Sequence, residues 1–434
     1  MKSTHFQGFV VLALAALLGL SCNTQPSSRQ VIFWNSMGGP LGDVLDSIIT
    51  LYNQQADLPV VSVNMGSYGT LSQKLMGAVA SNKPPVLAQV YESWTSELLE
   101  NGKIEPFESF LGYFEDSVLA DVWPVLIEDN RFDDQLVTFP FNKSVPVFYY
   151  NRDLFRAHGI DSFPRTWDEF RRVAKQLTLD TDGDGNVDIY GTAFPVSVWW
   201  FLTMLYQKGG RVIRGDSIVL DSPEAREVLQ YMVDLIYKDS CAYLTTGYRH
   251  QNDFATGRVA MIWGTIVSYA FMKEAIQFDL GVAPVPSFGD PLVVVSGTNV
   301  AIFKGVTREQ QEGAARFVRF FLKPEIQALW SAGTGYIPLR RSALNQPLLR
   351  DFLAQVPGMR EGMLQLEHAT FEPRDPIWFT GRRYLSTEGL EPALRGVLSV
   401  DQAIRRAQRL LQTEMNRRKR LERSLRHRTS AAAS

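Results

Sequence analysis

Short apolar runs rich in β-branched residues alternate along this chain with longer segments whose apolar side chains recur every three or four positions. VIFW at 31–34, VVSV at 60–63 and VLAQV at 86–90 read as strands, and between the first two Leu41, Val44, Leu45, Ile48, Ile49 and Tyr52 fall on one helical face. That order implies parallel sheets covered by helices on both faces, an α/β architecture, because a parallel strand pair needs a crossover long enough to hold a helix. At 434 residues the chain exceeds one ordinary compact domain, and its 45% hydrophobic content supplies core for two lobes.

Helix starts are legible from capping chemistry. Thr166 with Glu169, Thr307 with Gln310 and Ser399 with Gln402 have the spacing of capping boxes, and Ser222-Pro223 places proline at a first helical position. Behind them run stripes that face a core: Trp167, Phe170, Val173 and Leu177; Val228, Leu229, Met232 and Leu235; Val400, Ala403, Ile404, Ala407 and Leu411.

The first residues have a different logic. Lys2 and His5 precede an apolar run from Phe9 to Leu20 that stops at Ser21-Cys22, so residues 1–22 have the order of an export signal and are too short for a stable membrane span. Cys22 stands where a lipoprotein carries its lipid, although Gly19 occupies a position that usually holds an aliphatic residue; simple cleavage is the alternative. The mature chain is expected on the periplasmic side of the membrane, lipid-anchored or free. Cys241 is the one other cysteine, so no disulfide framework is expected. A net charge of −2 argues against nucleic acid, and residues 426–434 read as a basic, flexible tail.

Five segments in order carry a family resemblance: PFNKSVPVFYYNRDLFRAHGID at 140–161, TWDEF at 166–170, DTDGDGNVDIYG at 180–191, FATGRVAMIWG at 254–264 and FLKPEIQALWSAGTGYIPL at 321–339. Together they resemble the family 1 extracellular solute-binding proteins of ABC importers. FWNSM at 33–37, MGSY at 65–68, LAQVYE at 87–92, TGYIP at 334–338 and FTGRRYL at 379–385 resemble, within that family, the binders of glycerol 3-phosphate and glycerophosphodiesters such as glycerophosphocholine. The resemblance implies a monomeric two-lobe fold with a hinge, maltose-binding-protein-like, that closes on a small ligand and presents it to a membrane permease. On this reading residues 30–143 and 298–324 form the first lobe and 144–297 and 325–425 the second, with crossings near 144–147, 293–297 and 322–328.

The same resemblance places ligand contacts. Glu92 matches an acceptor for glycerol hydroxyls, with Tyr68 and Ser144 beside it; Tyr336, Gly297, Thr298 and Thr265 match further contacts. Arg383 matches the phosphate-holding arginine, with Arg382 as the alternative one residue away, since a planar guanidinium pairs two oxygens at once. Trp199 and Trp200 match an aromatic wall for a quaternary ammonium, which ring faces attract.

Two patterns point elsewhere. Asp180, Asp182, Asp184 and Asp188 with Gly185 resemble a calcium loop, but Gly191 stands where such a loop needs its bidentate acid. No two of the five histidines have ligand spacing, and neither a nucleophile elbow nor a phosphate loop occurs. An enzyme is therefore not expected, nor any cofactor.

Overall fold

The computed structural model describes residues 29–432, with side chains to Leu421. The export signal and Cys22 lie outside the described residues. Among those described, no helix is long and apolar enough to cross a membrane.

Five strands build most of the first sheet: β1 (Val31–Asn35), β2 (Val60–Asn64), β3 (Leu87–Val90), β4 (Ile104–Glu105) and β5 (Phe139–Ser144). Five more build the second: β6 (Pro146–Asn151), β7 (Tyr190–Pro195), β8 (Ala242–Thr245), β9 (Val259–Thr265) and β10 (Leu280–Ala283). The chain then returns to the first sheet as β11 (Ser296–Phe303). The first sheet runs β2-β1-β3-β11-β4 with β5 also on β11, and the second runs β8-β7-β9-β6-β10. Parallel pairing holds between β1 and its neighbours and between β7 and its neighbours, but β6 and β11 pair antiparallel. The sheets are thus mixed: β6 and β11, each the first strand after a crossing, run against the rest.

Local chemistry sets the helices that cover them. The capping boxes at Thr166 and Thr307 form, as does the pair of bonds between Ser399 and Gln402. Helix Pro40–Asn53 buries Leu41, Leu45, Ile48, Ile49 and Tyr52 against the first sheet. In the second lobe Trp167 stacks on Trp263 at 5.1 Å, and Trp263 on Trp200 at 5.0 Å, so a column of indoles fills that core.

The chain passes between the lobes at Ser144–Pro146 and just before Ser296. Gly297 belongs there by necessity: its φ is +100°, and a Cβ would lie 1.9 Å from the carbonyl oxygen of Asn142 on β5. The third crossing is not near 322–328. Helix Pro324–Thr334 lies on the first lobe, with Trp330 against Phe141 and Phe321 and Gly333 against Val44, and helix Pro347–Gln355 packs on it in turn. Residues 325–355 therefore belong to the first lobe, because the apolar face that Pro324 opens finds its partners there. The crossing falls at 356–358, where the Pro357 carbonyl accepts from Val282 on β10 and Gly358 meets that strand's backbone.

At the far end, helix Val400–Ala432 carries the basic segment onward as helix up to residue 432, in place of the flexible tail expected from 426.

Candidate ligand-binding cleft

A cavity of about 210 Å³ lies between the lobes. Tyr91, Glu92 and Trp94 line it from the first lobe, Ser296 and Gly297 from the crossing strand, and Glu372, Trp378, Phe379 and Arg382 from the second. A larger groove of about 590 Å³ on the second lobe is open to solvent, and its charges are satisfied among themselves, Arg171 with Asp234, Lys208 with Glu227 and Arg226 with Asp401. The cleft between the lobes has the chemistry of a binding site; the groove does not.

The first-lobe wall is a connected polar network. Glu92 opens helix Glu92–Glu100 at the end of β3, and its Oε1 accepts from Lys143 Nζ at 3.1 Å and Asn299 Nδ2 at 3.0 Å. Lys143 is wholly buried and also meets Asp129 at 2.6 Å. Burial, and then the nearby Asp129, push the Glu92 carboxyl up to about 7 against the opposing pull of Lys143. Burial drags the Lys143 ammonium down, yet the two carboxylates together hold it above its usual value. Beside them Asn142 donates to the Tyr68 hydroxyl at 2.9 Å, and that hydroxyl pairs with Tyr336, whose ring stacks on Trp330 at 5.4 Å. Ser144 sits opposite Ser296 in the strand pair; its buried hydroxyl has no hydrogen-bond partner among the described residues.

The second-lobe wall rests on one helix, Trp378–Tyr384. Glu372 accepts from Arg382 Nε at 2.9 Å and from Trp378 Nε1 at 2.7 Å, which holds the guanidinium by its inner nitrogen; among the described residues neither terminal nitrogen has a hydrogen-bond partner. Arg383, the residue matched to the phosphate, turns elsewhere, its guanidinium 4.9 Å over the Tyr384 ring. Successive helical residues point about 100° apart, so only one of the pair can face the cavity, and it is Arg382.

Other expected contacts also fall away from the cavity. Trp200 is in the indole column and Trp199 donates its Nε1 to the Val294 carbonyl at 2.7 Å, both buried. Thr298 is fully buried and spends its hydroxyl on Asn142, while the Thr265 carbonyl accepts from Tyr149 and its hydroxyl meets Ser268. The aromatic wall is instead Tyr91, Trp94, Trp378 and Phe379. Tyr91 and Phe379 stand in the very segments that carry the resemblance, next to Glu92 and three residues before Arg382; that adjacency was the available signal. Lys143 carried the same signal, beside Ser144 in the segment 140–161, whereas nothing in the linear sequence ties Asp129 or Glu372 to the site.

In the Asp-rich loop, carboxylate oxygens of Asp180, Asp182 and Asp188 lie within 4.8 Å of one another, all exposed. Asp180 accepts from Gly183 N and Gly185 N, Asp188 from Thr181, and Asp184 from Asn186, so the acids cap the loop's own backbone.

Opposite the hinge the lobes clasp. Arg374 reaches from the second lobe to donate to the carbonyls of Glu128 and Arg131, its guanidinium over Phe132 and Phe371, and its own carbonyl accepts from Ser96. Arg418 of the last helix reaches Glu97 and Glu100 on the helix that Glu92 opens.

Two α/β lobes joined by repeated crossings, with one polar cavity between them, define a hinged small-molecule receptor. The chain belongs to the bacterial extracellular solute-binding proteins, whose family pattern matches residues 47–355. It is 27% identical over 366 residues to the sn-glycerol-3-phosphate-binding periplasmic protein UgpB of Yersinia pestis, covering 80% of this chain and 82% of that one. With the UgpB of Escherichia coli K12 the identity is 27% over 375 residues, covering 82% and 84%. Among solved structures, UgpB from Mycobacterium tuberculosis in complex with glycerophosphocholine superposes with a TM-score of 0.80 at 23% identity, covering 90% of this chain and 99% of that chain. Maltose-bound T. maritima MalE3 superposes at 0.76 and 24% identity, covering 88% and 99%. These establish the maltose-binding-protein-like two-lobe fold.

Proposed function

We propose that this protein captures glycerophosphodiesters, glycerophosphocholine foremost, and delivers them to an ABC permease. The observation that carries the reading is the opposition across one cavity of Glu92, an acceptor for hydroxyls, and Arg382, whose terminal nitrogens are left for phosphate oxygens. Tyr91, Trp94 and Phe379 supply ring faces for a cationic head group. Tyr68, Ser144, Gly297 and Tyr336 complete the glycerol end. The charge balance favours a diester: Glu92, Asp129 and Glu372 are three acids against two bases, Lys143 and Arg382, so a dianionic monoester meets an excess negative charge that a zwitterion does not. The relatives named for sn-glycerol 3-phosphate and the neighbour holding glycerophosphocholine support the same class.

The mature protein works at the periplasmic face, tethered through lipid on Cys22; palmitate labelling that survives Cys22→Ser would refute the tether. Calorimetry of the purified protein with glycerophosphocholine, glycerol 3-phosphate and maltose tests the ligand. Saturable binding of the diester, weaker binding of the monoester and none of maltose is expected. A second reading, an oligosaccharide receptor, draws on the aromatic wall and the maltose-bound neighbour, and would be favoured by the reverse order.

A further inference from the structure

Lys143 lies on β5, one residue before the first crossing, and its single ammonium serves two carboxylates. Asp129 is wholly buried, with a second oxygen that has no hydrogen-bond partner among the described residues. Glu92 opens on the cavity. Two buried anions against one cation leave one charge uncompensated, and of the two acids only Glu92 stands where a proton or a ligand can reach it.

We propose that Lys143 is a positioning residue for ligand capture: shared with Asp129, it grips Glu92 by one oxygen and leaves that carboxyl balanced between holding a proton and accepting a ligand hydroxyl, so that binding expels the proton. The proposal rests on Glu92 meeting the ligand's hydroxyls. In the bound state the carboxylate accepts the hydroxyl hydrogen bond and the displaced proton passes to solvent. The groups that face Glu92 are Lys143, Asp129 and Asn299 of the first lobe, its neighbour Tyr91, and Arg382 with its partner Glu372 across the cleft. Exchange falls in the neutral range because burial and Asp129 bring the Glu92 carboxyl to about 7.

Carbon-13 NMR of the carboxyl groups in ligand-free protein, with the Glu92 signal assigned through Glu92→Gln, tests the role of Lys143 without any ligand. Asp129→Asn gives the ammonium to Glu92 alone and should lower its midpoint by about a pH unit or more; Lys143→Met should raise it by a similar amount. If Lys143→Met fails to fold, Asp129→Asn decides by itself. A midpoint that Asp129→Asn leaves in place or raises overturns the proposal. Calorimetry with glycerophosphocholine at pH 7, in buffers of low and high ionisation enthalpy, reads the proton: the wild type should release about half a proton per ligand, and Asp129→Asn close to none. Equal heats in both buffers for the wild type overturn it. Absence of binding by both glycerophosphocholine and glycerol 3-phosphate would sink the ligand reading instead, and the NMR titration would still decide what Lys143 does.

Discussion

The two walls of the cleft are built on different principles. On the first lobe, Glu92, Lys143, Asp129, Asn142, Tyr68 and Asn299 hold one another across five segments of chain, and Lys143 has no exposed surface. On the second, Arg382 and Phe379 stand on one helix at roughly half exposure, with Glu372 holding the Arg382 guanidinium. The first wall is held by its own hydrogen bonds, whereas the second stands on the other lobe, so its distance from the first is set by the hinge. Under the proposed function, the glycerol end would meet the interlocked groups of the first wall and the head group the less constrained ones of the second.

The sharpest test of this contrast is the adjacent arginine pair. Arg382→Ala should weaken glycerophosphocholine binding by roughly 100-fold, since truncating one half of a desolvated charge contact costs about 2–5 kcal/mol, whereas Arg383→Ala should change it by less than about 3-fold. Equal losses in titration calorimetry would mean that the helix presents neither residue selectively.

On the other wall, Glu92→Gln should cost about 10-fold in affinity, the worth of a charged acceptor over a neutral one. The same variant carries a signed pH dependence. The Glu92 carboxyl is raised from 4.5 to about 7 in the folded protein, so the native state holds its proton more tightly, and this group's contribution to stability is lost as pH climbs between those values. Glu92→Gln should therefore melt above wild type at pH 8, by roughly 1–3 °C, with the gain gone near pH 4.5. A gain that persists at low pH would contradict a titrating buried carboxyl.

Arg374→Ala probes closure itself. Its clasp touches no cavity-lining side chain of the first wall, so affinity should fall about 5-fold, carried by faster dissociation in stopped-flow measurements with an unchanged association rate. The smallest effect is expected at the head group: Phe379→Ala should lower glycerophosphocholine affinity about 3-fold and leave glycerol 3-phosphate untouched, the worth of one half-exposed ring face. Loss for both ligands would move Phe379 from head-group recognition to general packing.

How far the site could be read in advance follows the same division. Tyr68 and Glu92 open the helices that follow β2 and β3, Ser144 ends β5 and Gly297 is the second residue of β11, positions where the adjoining element leaves little freedom; Glu92 and Gly297 line the cavity, while Tyr68 packs on the lining Tyr91 and Ser144 pairs with the lining Ser296. Arg383 was displaced by its neighbour because a one-residue slip on a helix turns a side chain by about 100°. Trp199 and Trp200 stand in a helix buried on every side, so aromatic composition alone did not distinguish core from cavity.

Sequence alone determined the α/β class, the helix caps and the strand ends that carry the first wall, because those depend on spacing of two to four residues, a range over which local geometry is nearly rigid. Tertiary structure decided which lobe claims residues 325–355, which arginine enters the cleft, and that Lys143 and Asp129, fourteen positions apart, share their charges with Glu92. Burial is a property of the closed chain: the cost of an uncompensated charge, and hence the behaviour of the groups around it, exists only once distant segments have excluded the water between them.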